Sequence, residues 1–156
     1  MTGSEDSRAR LVGINHVALE VADVEAAIDF YGSIFAFDIR GRTDSGAFLD
    51  MGDQFLALSE VPDSAESDEH RHFGLVVDDP SVVERRLEAI EDFDVEVLPT
   101  SGLDVRDPWG NRFQIVAYER IQFTKAEHVL DGMGLTGFEK SDSAIAELAE
   151  KGMDPE

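Results

Sequence analysis

A pattern that begins with a histidine occurs twice in this chain, and it limits the possible folds more than any other feature. The first copy reads I-N-H-V-A-L-E-V-A-D around His16, and the second reads H-F-G-L-V-V-D-D from His72. When the two histidines are superposed, a leucine, a valine and an aspartate also coincide. Each copy of a repeat is one supersecondary unit that must bury its apolar face against a partner. We therefore expect two similar modules, with a functional site where they meet.

Each copy is predicted to have the element order βαβββ. In the first copy, alternating apolar residues predict a strand over residues 12–21, and Asp23 is a suitable N-cap for the amphipathic helix that follows. The second copy repeats this order with a strand over residues 72–77 and a helix after Asp79, with Pro80 at its first position. An acidic segment without periodicity, residues 60–70, is predicted to link the copies, with Glu60 as a solvated acid. Three short strands are predicted after each helix, at residues 37–43, 46–51 and 54–59 and near residues 95–99, 102–107 and 112–118.

Residues 121–156 lie outside the repeat and are predicted to form a helical extension. Thr124 and Glu127 have the spacing of a capping box, which predicts a short helix in this region. A second helix is predicted to start near Ser141 and to stop at Gly152, with an apolar stripe along one side. We expect that stripe to cover the rest of the chain or a dimer partner.

The charge balance favours some partners and argues against others. The chain has 34 acidic residues against 13 basic ones, a formal net charge of −21. Because the acids are spread along the whole chain, they are predicted to form a solvated surface that repels nucleic acid. Few lysines and many carboxylates are typical of proteins that stay soluble in molar salt, where charges are screened within about 3 Å. We therefore expect a halophilic protein.

The apolar and cysteine content narrows the location and the chemistry. No apolar run is long enough to span a bilayer, and the first ten residues lack an apolar signal region. These features predict a cytoplasmic protein with no membrane partner. The chain has no cysteine, which excludes disulfides, thiolate catalysis and cysteine metal ligands. Any metal site must therefore use histidine, carboxylate or amide oxygen.

Three features together resemble one known family, the vicinal oxygen chelate superfamily of glyoxalases, bleomycin resistance proteins and extradiol dioxygenases. They are the paired βαβββ pattern, the motif I-N-H-V-A-L-E-V with D-F-Y in the first helix, and D-P-W-G-N-R-F-Q-I-V in the last strand. The resemblance implies an α+β fold in which two βαβββ modules form a half-open, barrel-like mixed sheet around a cleft. We therefore expect a family domain over residues 11–120, with modules at about 11–60 and 71–120, followed by the C-terminal helical extension 121–156.

The resemblance also implies a divalent metal in the cleft and assigns the family's metal positions to residues of this chain. The positions on the first strands of the two modules correspond to His16 and His72, whose imidazoles suit Zn, Ni, Mn or Fe. The position on the last strand of the second module, normally a glutamate, corresponds to Gln114, whose carbonyl oxygen can coordinate but brings no charge. Its counterpart in the first module corresponds to Ala57, or to Leu56 if the register shifts by one, and neither residue binds metals. The expected metal ligands are therefore His16, His72 and Gln114.

Two functions of different classes remain open. The first is a metal-dependent enzyme of the lyase, isomerase or dioxygenase type that acts on a small oxygenated substrate. Ala57 and Gln114 stand where such enzymes carry carboxylates, so the base of glyoxalase I chemistry is missing and the dioxygenase triad lacks its charge. The second function is metal-free binding of a small ligand, as in the bleomycin resistance proteins. The sequence identifies no catalytic residue.

Aromatic and cationic side chains offer further contacts to a ligand under either function. About half of the aromatic candidates are expected to face the core instead of the cleft. We also expect a homodimer, because a half-open sheet leaves edges and an apolar cleft wall that a monomer must cover. The aromatic candidates are Phe48, Phe55, Trp109 and Phe113, and the candidate anion anchors are Arg40, Arg42, Arg106 and Arg112.

Overall fold

The computed structural model describes residues 14–63 and 71–153, which form two four-stranded mixed sheets with helices. This is an α+β architecture, and within the described residues neither sheet closes into a barrel, as the sequence predicted. The first module contains β1 (His16–Val21), α1 (Val24–Ile34), β2 (Ile39–Thr43), β3 (Gly46–Asp50) and β4 (Phe55–Glu60). The second contains β5 (Phe73–Val77), α2 (Pro80–Glu88), β6 (Glu96–Leu98), β7 (Leu103–Arg106) and β8 (Arg112–Ala117). A 3₁₀ turn (Tyr118–Arg120) then leads to α3 (Glu127–Gly132) and α4 (Asp142–Glu150).

The two sheets have the same topology, which confirms the repeat. The strand order is β1-β4-β3-β2 in the first sheet and β5-β8-β7-β6 in the second. In each sheet the first strand is parallel to the last strand of its module, with His16 opposite Phe55 and Phe73 opposite Phe113. The other neighbours are antiparallel. The first residues of β1 and β4 therefore lie side by side at one end of the first sheet.

Each sheet has one face on the core and one open face. In β1, Leu19 and Val21 are buried, whereas His16, Ala18 and Glu20 are exposed, because successive side chains of a strand point to opposite faces. Buried residues of α1 and α2 belong to the same core as the buried strand residues, so the helices cover the core side. We call the other side the open face. The open face of the first sheet includes His16, Ala18, Glu20, Phe48, Phe55 and Ala57, and that of the second includes Gly74, Asp104, Arg112 and Gln114.

Carboxylates at the helix starts act as the sequence predicted, with one addition. Asp23 Oδ1 accepts a hydrogen bond from the backbone N–H of Ala26, at 3.0 Å, and Asp79 caps α2 in the same way. Glu60, which we expected to be a solvated linker acid, is instead the last residue of β4. Its Oε2 accepts from the backbone N–H of Val24 at 3.0 Å, where the helix dipole favours negative charge. Most of the predicted linker, residues 64–70, lies outside the described residues, as do residues 12–13 of the first predicted strand.

A buried carboxylate joins the two modules. Asp107, in the turn before β8, accepts a hydrogen bond from the hydroxyl of Tyr31 in α1, at 2.8 Å. It also accepts from the backbone N–H groups of Trp109 and Asn111 and from the side chain of Asn111. Burial raises the pKa of Asp107, and the hydrogen bonds from Asn111 and Tyr31 lower it only in part. Burial, with the nearby Asp107, also raises the pKa of Tyr31 well above its ordinary value.

The extension contains both predicted helices, but one predicted cap is wrong. The capping box needs Glu127 at the third helical position, whereas α3 begins at Glu127 itself. The hydroxyl of Thr124 instead donates to a carbonyl of the preceding segment. The second helix starts as predicted, because Ser141 Oγ accepts from the backbone N–H of Ala144 at 3.2 Å.

Lys140 fastens the extension to the end of the second sheet. Its ammonium donates to the backbone carbonyls of Tyr118, Ile121 and Phe123, and lies 3.5 Å from the centre of the Tyr118 ring. Burial lowers the pKa of Lys140. The side chain therefore supplies hydrogen-bond donors to backbone carbonyls that would otherwise have no partner between the end of β8 and the extension.

The extension also reaches the first module. Lys125 forms an ion pair with Asp53 in the turn between β3 and β4. In the same turn, Gly52 has φ +87°, and a Cβ there would lie 2.6 Å from the sulfur of Met133. The positive φ therefore favours glycine at residue 52, and any larger residue would also displace the side chain of Met133, which follows α3.

None of the helices in the described ranges combines the length and the apolar character needed to cross a bilayer.

Candidate functional site

His16 lies at the start of β1 on the open face of the first sheet. Its ring stacks on that of Phe55, with the centroids 4.8 Å apart and the planes at 10°. Its Nδ1 is 2.8 Å from the side-chain carbonyl oxygen of Asn15, which can only accept a hydrogen bond. The contact gives Nδ1 a hydrogen-bond partner, so Asn15 and Phe55 together hold the ring in place. Histidines that bind metals are commonly held by such a hydrogen bond from their second nitrogen.

Gln114 occupies the middle of β8 on the open face of the second sheet. Gly74 of β5 and Asp104 of β7 lie directly opposite it. A Cβ at Gly102 would come within 3.4 Å of its Nε2, so glycine at residue 102 leaves space beside this side chain. Within the described part of the chain, the side-chain amide has no hydrogen-bond partner.

His72 is exposed and immediately precedes β5. Strand alternation would put it on the same side as Gly74, two residues later, and so on the side of Gln114. His72, just before β5, and Gln114, in the neighbouring strand β8, therefore belong to the second module, whereas His16 belongs to the first sheet. Among the described residues, no three histidine or carboxylate side chains lie close enough together to hold a metal ion. A site with His16, His72 and Gln114 must draw on both modules and include the amide.

The last strand of the first module offers no ligand in either register. Ala57 is on the open face, opposite Ala18 and Phe48, and Leu56 is buried in the core. Neither side chain can coordinate a metal or accept a proton. The open face of the first sheet thus lacks a carboxylate on β4 at the position where the resemblance would put one.

Asp104 is a polar neighbour of the candidate site that the sequence analysis missed. It lies next to Gln114 on the open face, with 3% of its surface exposed. Its Oδ2 accepts from Arg112 Nε at 3.1 Å and from the same guanidinium's NH2 at 2.7 Å, and the Thr100 hydroxyl is 3.2 Å from Oδ1. The alternation in L-D-V-R, residues 103–106, was the signal that could have placed it on this face.

The four aromatic candidates divide evenly between the open face and the core. Phe48 is 41% exposed and its ring centre is 5.1 Å from that of Phe55 on the open face. Trp109 and Phe113 are buried in the shared core. This confirms the expectation that about half of them face the core.

A groove of about 1050 Å³ lies elsewhere, between the 3₁₀ turn, α3 and α4. Its walls include Leu130, Leu148 and Lys140, whose ammonium is bound to backbone carbonyls. None of the predicted metal ligands lines this groove. The candidate site is therefore on the open faces, which carry the predicted metal ligands, and it is separate from this groove.

Comparison with known families shows to which superfamily the chain belongs. The family model of the Glyoxalase/Bleomycin resistance protein/Dioxygenase superfamily matches residues 13–115, which span both modules. The chain belongs to this superfamily. The match ends within β8, before the 3₁₀ turn and the C-terminal extension.

Relatives of the chain include two proteins that are named as transferases. The metallothiol transferase FosB of Staphylococcus saprophyticus is 27% identical over 128 residues, which cover 73% of this chain and 84% of that protein. The glutathione transferase FosA of Serratia marcescens is 27% identical over 84 residues, or 50% of this chain and 60% of that protein.

A solved structure shares the fold at low sequence identity. It is a mutant of the fosfomycin resistance protein FosX of Listeria monocytogenes, in complex with Mn(II) and a dihydroxypropylphosphonic acid. It superposes with a TM-score of 0.57 at 16% identity and covers 69% of this chain and 93% of that chain.

Proposed function

We propose that this protein is a metal-dependent enzyme that acts on a small oxygenated substrate. In this proposal His16, His72 and Gln114 hold a divalent ion between the open faces of the two sheets. The observation that carries it is the position of His16 on the open face, where Asn15 contacts its Nδ1 at 2.8 Å and its ring stacks on Phe55. A contact to the second ring nitrogen commonly orients a histidine that binds a metal.

The donor atoms of these three side chains suit several divalent metal ions. Two imidazoles and one amide oxygen suit Zn, Ni, Mn or Fe, and they leave coordination positions for two oxygens of a substrate. The relatives support this choice, because FosB is named a metallothiol transferase and the FosX complex contains Mn(II) with a phosphonic acid. A bound ion would supply Lewis acid chemistry to the substrate oxygens.

The residues around the site limit the reaction types. An isomerase of the glyoxalase I kind needs a carboxylate base, and neither Ala57 nor Gln114 provides one. Asp104 does not replace it, because its carboxylate is already engaged by Arg112 and Thr100. Addition of a nucleophile to a substrate that the metal polarises needs no such base from these positions. We therefore favour a transferase or hydrolase type of reaction over an isomerisation.

Metal titration tests the proposal. Protein purified without an affinity tag, stripped with a chelator and titrated with Zn, Ni, Mn and ferrous ion should bind one ion per site. His16→Ala should abolish the heat of binding, because it removes one of only two imidazoles from the site. His128→Ala is the matched control, since this exposed histidine lies on α3, outside both open faces. Equal binding by wild type and His16→Ala would contradict the proposal.

A second function, metal-free binding of a small ligand, is favoured by the exposed aromatic rings. Phe48 and Phe55 form a platform on the open face of the first sheet, and an exposed aromatic surface commonly marks a binding site. Ligand binding that persists after complete removal of metal, together with no metal uptake, would favour this function.

We also propose that the protein acts as a homodimer. The ring of Phe48 is partly exposed on the open face, and β2 and β6 end the two sheets within the described chain. A second copy that covers these surfaces would remove apolar area and sheet edges from water.

A further inference from the structure

Arg40 occupies an irregular position in β2. Ile39 pairs with Leu49 and Gly41 pairs with Phe48, so Arg40 is an extra residue that has no partner across the ladder. Such a β-bulge changes the direction of a side chain and is frequent next to active sites. In a regular strand residue 40 would point to the helix side, because its neighbour Gly41 lies opposite Phe48 on the open face. The bulge instead directs Arg40 to the open face.

Contacts on both sides of the strand agree with this reading. The guanidinium carbon of Arg40 is 5.5 Å from the centre of the Phe55 ring, which also stacks on His16. Arg42, two residues later, pairs with Glu25 of α1 on the helix side. The bulge therefore separates two arginines that regular alternation would send to the same face.

The ring of Phe48 fits against the same irregular segment. A Cβ at Gly41 would lie 3.0 Å from Phe48 Cδ2, so glycine at this position lets the ring lie across β2. The rings of Phe48 and Phe55 are tilted by 56° with their centres 5.1 Å apart. Arg40, Phe55 and His16 thus form one continuous surface with Phe48 beside it.

Charge makes Arg40 unusual in this protein. The chain has 34 acids and 13 basic residues, and yet Arg40 forms no ion pair or hydrogen bond with any residue in the described ranges. The other arginines considered as anion anchors do form such bonds: Arg42 with Glu25, Arg106 with the carbonyl of Gly110 and Arg112 with Asp104. An aromatic ring holds the planar guanidinium without using its N–H donors. The N–H donors of Arg40 therefore have no acceptor among the described residues.

We infer that Arg40 is an anion-recognition residue, and that its guanidinium binds the oxyanion of a small ligand lying over Phe55 towards His16. The inference rests on the proposed function in placing the ligand on the same open face. A carboxylate or a phosphonate offers two oxygens that match the guanidinium fork. The ligand class is therefore a small molecule with one anionic head group and an apolar or planar part in contact with the aromatic rings.

Three small aromatic ligands of similar size distinguish the contribution of negative charge to binding from that of ring stacking. Phenylphosphonate and benzoate carry the two kinds of oxyanion, and benzamide is their neutral counterpart. Binding to metal-stripped protein is measured by ligand-observed NMR titration in one KCl buffer, with thermal melting as a check that each variant folds. Wild type should bind both acids more tightly than benzamide, and the tighter acid identifies the preferred head group.

Variants of two arginines complete the test. Arg40→Gln should weaken binding of the acids by about tenfold to a hundredfold, the range for a hydrogen bond to a charged group, without changing benzamide binding. Arg40→Lys should bind the acids with an affinity between those of wild type and Arg40→Gln, because lysine keeps the charge but lacks the planar guanidinium fork. Arg85→Gln is the control: it removes one positive charge from α2, away from the open faces, and should behave as wild type.

Two results would overturn the inference: acid binding in Arg40→Gln equal to that of wild type, or a wild type that does not prefer the acids to benzamide. Zinc titration of wild type examines the proposed function separately. Acid binding that depends on Arg40 in a protein that takes up no metal would contradict the enzyme proposal alone. Metal uptake with acid binding that is indifferent to Arg40 would contradict this inference alone.

Discussion

The hydrogen bond between Tyr31 and Asp107 should be among the strongest single polar contacts between the modules, and Tyr31→Phe tests it. The hydroxyl is fully buried and donates to Asp107 Oδ2 at 2.8 Å, across a sequence separation of 76 residues. The substitution removes only the hydroxyl, so the ring still packs against Phe30 and Phe113. The change in the free energy of unfolding then reports on the hydrogen bond and not on a cavity.

The expected loss follows from the charge and the remaining partners of Asp107. A hydrogen bond to a charged group contributes about 1.5–3 kcal/mol, against about 0.5–1.5 kcal/mol for a neutral one. Three further donors from Trp109 and Asn111 still reach the carboxylate after the substitution. Because the carboxylate keeps these three hydrogen bonds, we expect the free energy of unfolding to fall by about 2 kcal/mol.

Tyr118→Phe is the matched control for this measurement. Tyr118 is also buried, but its hydroxyl oxygen only accepts a 3.3 Å hydrogen bond from the backbone N–H of Lys125. Loss of that long, neutral contact should cost no more than about 1 kcal/mol.

Urea unfolding at fixed KCl concentration measures both losses, with the fluorescence of Trp109, the single tryptophan of the chain, as the probe. If Tyr31→Phe loses no more stability than Tyr118→Phe, the buried bond to Asp107 does not hold the modules together as argued.

Further predictions concern pH, salt and assembly. Because burial raises the folded-state pKa of Tyr31, its contribution is complete below its unfolded pKa near 10 and should fall as the pH rises further; urea unfolding of wild type should show this decline and Tyr31→Phe should lack it. The net charge of −21 makes the folded state repel itself in dilute buffer, so the melting temperature should rise between about 0.1 and 3 M KCl, and a flat profile would refute the halophilic prediction. Sedimentation in molar KCl should show a dimer, and a single species at the chain mass of 17.2 kDa would exclude it.

Much of the fold follows from local sequence signals. The histidine-led repeat predicted two βαβββ modules because alternation and helix caps act over a few residues, and Asp23 and Asp79 do cap the helices. These features need no knowledge of the partner module.

Contacts between segments that are far apart in the chain could not be predicted from the sequence. Glu60 caps α1 only because β4 ends beside the start of that helix, which the linear pattern of an acidic segment hides. The bulge at Arg40 depends on the register between β2 and β3, which is set by pairing and not by composition. Asp104 is recognisable only once β7 is known to lie beside Gln114.

The capping box at Thr124 was wrong because α3 begins at Glu127, three residues after Thr124.

The most direct test of the proposed metal site is a change of charge at Gln114. Two imidazoles and an amide oxygen give a divalent ion no formal compensation, so its affinity should be modest. In calorimetric titration of metal-stripped protein, Gln114→Glu should bind Zn, Ni, Mn or ferrous ion about tenfold to a hundredfold more tightly than wild type, a gain of roughly 1–3 kcal/mol. His16→Ala and His72→Ala should abolish binding in either background. If Gln114→Glu binds no better than wild type, or if removing both histidines costs nothing, then His16, His72 and Gln114 do not share an ion.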